Sequence, residues 1–68
     1  MSMDLERVFT YHPPTGTQAQ RYVQIRDMAK RLAEVVQKVT PESREQSLAL
    51  TSIQQATMWA NAAIAINE

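Results

Sequence analysis

At 68 residues, 44% hydrophobic and 21% charged, the chain is a single domain-sized unit, too apolar to be disordered. With no cysteine and one histidine, it excludes disulfides, thiolate metal ligation and a self-contained zinc site. Seven basic and seven acidic side chains cancel, which speaks against coating DNA by charge alone.

The opening residues MSMDLERV carry no signal-peptide core, and no apolar run approaches the roughly 20 residues of a membrane span. Together with the absence of cysteine, this reads as a cytoplasmic protein without a membrane partner. Residues 3–8 have the pattern of one or two helical turns.

The next segment, FTYHPPTG over 9–16, breaks that pattern. It gathers two aromatics, the only histidine, two of three prolines and the only glycine. Pro13 and Pro14 fix their own φ and bias the preceding residues away from helix, so the segment reads as a stiff arm displaying Tyr11 and His12. A preorganised aromatic loses little freedom on binding and offers a face on which a nucleobase stacks. The competing reading makes Phe9 and Tyr11 a hydrophobic lid over the hairpin, with His12 a polar cap on a turn.

From Thr17 the spacing changes to threes and fours. Tyr22, Ile25, Met28, Leu32, Val35, Val36 and Val39 form a helical stripe, which predicts a first long helix over about 18–39 with the Thr17 hydroxyl as its N-cap. Arg26 and Lys30 stand one turn apart in line with Tyr22, which is the ordinary pattern of a solvated face and also that of a phosphate-seeking pair beside aromatic surface.

VTPESREQ supplies a stop and a restart. Either Thr40 caps with Pro41 at the first helical position, or Ser43 and Gln46 form a capping box. Both give a short connection, so the second long helix, about 42–66, folds back antiparallel. Leu50, Ile53, Ala56 or Thr57, Ala60 and Ile64 suit the face toward the first helix. Leu48, Met58, Trp59, Ala62, Ala63 and Ile66 point elsewhere and are as apolar. A helix hydrophobic around most of its girth needs more than one neighbour. In a chain too small to fold firmly alone, that predicts self-association. Asn61, inside MWANAAIA, is either a buried hydrogen-bonding device or an exposed residue.

Catalysis finds no support. One histidine and dispersed hydroxyls assemble no nucleophile and base, and a single glycine cannot build a phosphate-cradling loop. The expectation is a binding protein that is not an enzyme and needs no cofactor.

Three blocks in order, YHPP, SREQSLAL and MWANAAIA, set within FTYHPPTGTQAQRYVQIRDMAKRLA and PESREQSLALTSIQQATMWANAAIA, cover nearly the whole chain. They resemble the small phage proteins that defeat the CBASS antiviral system by sequestering its cyclic nucleotide messengers, with a similar hairpin in a phage anti-Thoeris family. The resemblance implies an all-α fold: an antiparallel two-helix hairpin preceded by a short helix and a Pro-rich arm, assembled into a compact homohexamer. It implies pockets between subunits for cyclic dinucleotides such as cyclic GMP–AMP and, in some members, separate pockets for cyclic trinucleotides. Carried over residue by residue, Tyr11 stacks on a base and Arg26 contacts phosphate, with Lys30 a neighbouring candidate because the family position is commonly lysine. His12 and Pro13 shape the pocket. Where the family's last block often reads Ala-Arg-Asn, this chain has Ala65, Ile66 and Asn67, which removes a phosphate-binding arginine and counts against a trinucleotide site.

The reading is therefore a phage immune-evasion protein acting in the infected bacterial cytoplasm. Its rivals are an oligomeric helical adaptor for a protein partner and, less in keeping with the charge balance, a DNA-binding helical protein.

Overall fold

The computed structural model describes residues 4–9 and 13–68. Three helices follow in order: α1 (Leu5–Phe9), α2 (Gln18–Val39) and α3 (Arg44–Asn67), with no strand among the described residues. Helices α2 and α3 pack side by side as an antiparallel hairpin. Thr40 meets Gln46 at one end, and Arg21 meets Glu68 at the other.

The entry to α2 is a tight turn. Gly16 adopts φ +55°, a left-handed conformation that a side chain would strain. The backbone N–H of Gln18 donates to the Thr15 carbonyl at 3.0 Å, and the Thr15 N–H donates to Gln18 Oε1 at 3.1 Å. Thr17 occupies the N-cap position, but its hydroxyl makes no capping bond. The sequence expectation for that hydroxyl is corrected: the polar side chain that ties down this end is Gln18, the one buried residue among those described.

Of the two starts open for α3, Ser43 is the one used. Its hydroxyl accepts from the Gln46 N–H at 3.1 Å, and its backbone is extended as an N-cap requires. Thr40 instead closes α2. Its N–H and hydroxyl both donate to the Val36 carbonyl, at 3.2 and 2.6 Å, and its extended backbone suits the proline that follows. The Gln46 side chain does not return to Ser43, as a reciprocal capping box would have it. It crosses the turn and donates to the Thr40 carbonyl at 3.1 Å, joining the end of one helix to the start of the next.

The hairpin seam is formed by half-buried Tyr22, Ile25, Ala29, Ala33 and Val36 on α2 and Leu50, Ile53, Thr57, Ala60 and Ile64 on α3. The single α2 stripe expected from spacing is two stripes. Ile25 and Val36 face the seam, whereas Met28, Leu32, Val35 and Val39 lie exposed beside it, at 52–69%. The alanines explain the split: Ala29 and Ala33 let the helices approach closely, and the bulkier residues one position earlier are left on a flank. Among the described residues no hydrophobic side chain is buried, and Trp59 is 74% exposed.

Candidate functional site

The two helices make a plank with unlike faces. On one face Ile25, Met28 and Leu32 of α2 oppose the small Ser52, Ala56 and Ala60 of α3 across an open concavity of about 640 Å³. Leu48, Trp59 and Ala63 continue this face along α3 by helical periodicity, and all are exposed. It carries no charge along its centre.

The opposite face is built otherwise. Arg26 and Lys30 rise from α2 beside a concavity of about 320 Å³ whose floor is Ala29, Ala33, Leu50 and Ile53 and whose far rim is Gln54 and Met58. Both cations are exposed, and neither forms an ion pair or hydrogen bond among the described residues. Asp27 and Glu34 neighbour Lys30 along α2 but do not close on it. Thr57, at the bottom, spends its hydroxyl on the Ile53 carbonyl at 3.0 Å. The concavity thus joins an apolar floor to two unpaired cations on one rim, charges suited to an anionic group.

Of the expected site residues, Arg26 and Lys30 are therefore brought together in one concavity. Pro13 is exposed ahead of the Gly16 turn. Tyr11 and His12 lie outside the described residues. The sequence reading set Leu50 toward the first helix, but the floor residues Ala29 and Ala33 and the polar rim residue Gln54 escaped it. Their signal was available in the antiparallel pairing, since residues equally distant from the turn at 40–43 lie across from one another.

The hairpin's open end is closed by charge. Arg21 and Glu68 form a bidentate pair, with the Nη1–Oε2 distance at 2.9 Å and Nη2 donating to Oε1. The hydrogen bonds from Arg21 hold the Glu68 carboxyl below the usual carboxylate range, with a smaller contribution from the Gln18 amide. The same bonds raise Arg21 further above neutrality. This exposed pair bridges the helix ends and lies outside the concavity that Arg26 and Lys30 line. Beside the seam, Asn61 is half-buried, and its side-chain oxygen is enclosed without accepting a hydrogen bond from the chain.

No group of residues suited to holding a metal occurs among those described, and no helix there is long and apolar enough to cross a membrane. Comparisons with curated proteins and with solved structures return no match. A family model described as the Acb2/Tad1 hairpin domain matches residues 1–65, which takes in the arm, both long helices and the turn between them. Sharing that whole extent, and folding as the hairpin the description names, the chain belongs to the Acb2/Tad1 hairpin-domain family.

Proposed function

We propose that this protein is a phage sponge for cyclic dinucleotide messengers of bacterial antiviral defence, such as cyclic GMP–AMP, which it binds without cleaving in the infected cell's cytoplasm. The observation that carries the reading is the pair of unpartnered cations, Arg26 and Lys30, over an apolar floor in a chain of this family. Sequestration asks only for affinity and abundance: each occupied site lowers the free messenger and leaves the host effector empty. A chain without a nucleophile–base pair suits that task.

The site is completed by a second copy. The concavity on one hairpin is open, so a ligand held there is covered from one side only; the arm bearing Tyr11, His12 and Pro13 supplies the stacking surface across a subunit boundary. A homo-oligomer, a hexamer by family likeness, repeats that boundary by symmetry and presents like residues to both halves of a two-fold ligand. Ile66 is apolar, and by the family resemblance this position often holds an arginine, which favours dinucleotides over trinucleotides.

Titration calorimetry against a panel of cyclic di- and trinucleotides tests the reading. The expected result is micromolar or tighter binding of a dinucleotide, lost in Tyr11→Ala and weakened at least tenfold in Arg26→Ala plus Lys30→Ala, with assembly unchanged. The exposed Trp59 face also favours an adaptor for another protein. That reading requires Tyr11→Ala to be harmless and no nucleotide to bind.

A further inference from the structure

Gln54 stands alone on the α3 rim of the cationic concavity. Its neighbours there are apolar or committed: Leu50 and Met58 have no hydrogen-bonding group of use, and the Thr57 hydroxyl is held by Ile53. The Gln54 amide is exposed and makes no hydrogen bond among the described residues. No other side chain of this concavity offers a free donor and a free acceptor together. Arg26 and Lys30, opposite, are donors only.

We infer that Gln54 is a base-reading residue of this site, selecting adenine by pairing its amide with the N6 amino group and the N7 acceptor on the base edge. The inference rests on the nucleotide-binding reading above and adds to it a cause of base preference. An amide matches adenine's donor–acceptor edge in bidentate fashion, whereas the corresponding edge of guanine shows two acceptors, N7 and O6, which an amide cannot satisfy together. The geometry divides the work across the groove. Cations on α2 meet phosphate, the alanine and leucine floor meets the ring, and α3 presents one amide to its edge.

The substitution is mild by construction. Gln54 is exposed in the middle of α3, and both Met and Glu are comparable helix formers, so Gln54→Met and Gln54→Glu keep the fold. Met removes donor and acceptor; Glu keeps the length and the acceptor but loses the donor to N7. Binding of cyclic di-AMP and cyclic di-GMP to the full-length wild type and both variants is measured by calorimetry, with assembly followed by light scattering. The wild type is expected to bind cyclic di-AMP. Gln54→Met is expected to weaken that binding about tenfold while changing cyclic di-GMP binding by less than about twofold, and Gln54→Glu to weaken cyclic di-AMP in the same direction. A cyclic di-AMP analogue with N7 replaced by carbon keeps only the bond from N6 to the amide oxygen, so the gap between wild type and Gln54→Met should shrink for it.

Equal loss for both ligands, or no loss in either variant, overturns the inference and leaves the sponge reading standing. A wild type that binds cyclic di-GMP but no cyclic di-AMP also overturns it. A wild type that binds no cyclic dinucleotide overturns both.

Discussion

Trp59→Ala should dissolve the assembly, and the size of the effect follows from one exposure. A tryptophan side chain carries up to about 250 Å² of surface. In the single hairpin 74% of Trp59 is exposed, so about 180 Å² is left for a neighbour to cover. At about 25 cal/mol per Å² that is about 4.5 kcal/mol if covering is complete. Alanine retains part of the contact, which leaves a loss of about 3–4 kcal/mol for each protomer seated, or two to three orders of magnitude in association constant. Sedimentation equilibrium over a hundredfold concentration range reads this directly. Wild type should remain assembled at low micromolar concentration, with a melting temperature that rises with concentration, because the chain buries no hydrophobic side chain by itself among the described residues. Trp59→Ala should shift to monomer and melt lower, whereas Lys30→Ala, on the other face, should leave assembly intact. A monomeric wild type, or a Trp59→Ala variant that assembles with unchanged affinity, would show that the Trp59 face is not the assembly surface.

Two smaller perturbations address the hairpin itself. Ser43→Ala removes the bond that caps α3 and should cost about 1 kcal/mol, read as a lower urea midpoint with an unchanged slope. Glu68→Gln should change how stability depends on pH. The Glu68 carboxyl titrates below its unfolded value of about 4.3. Its stabilising contribution is therefore present above that value and lost as pH falls through the lower folded value. The wild type should lose more melting temperature between pH 5 and pH 2 than the variant does, and high salt should shrink the difference, because the pair with Arg21 is exposed.

The two long helices were legible in the sequence for definite reasons. Apolar residues at threes and fours, a proline after Thr40 and a serine three residues before Gln46 bound α2 and α3 to within a residue or two. The sequence could not choose between Thr40 and Ser43 as the cap, since both have a suitable hydroxyl. What separates them is where each hydroxyl is used, since both backbones are extended: that of Thr40 donates back to the Val36 carbonyl, whereas that of Ser43 accepts from the Gln46 N–H. The division of the α2 stripe was hidden because Ala29 and Ala33 score as weakly hydrophobic, yet their small size puts them in the seam and displaces Met28 and Leu32 to the flank. Spacing placed Arg26 and Lys30 on one face. It was silent on the other rim, because Gln54 is polar and unremarkable until α3 lies across from α2.

A sponge captures its ligand without changing it. The most direct measurement mixes the purified protein with cyclic GMP–AMP, isolates the complex by gel filtration, denatures it and identifies the released nucleotide by mass spectrometry. Nucleotide should elute with the protein and be recovered intact and cyclic. Nucleotide that elutes apart from the protein, or that is recovered linearised, would contradict the sponge reading.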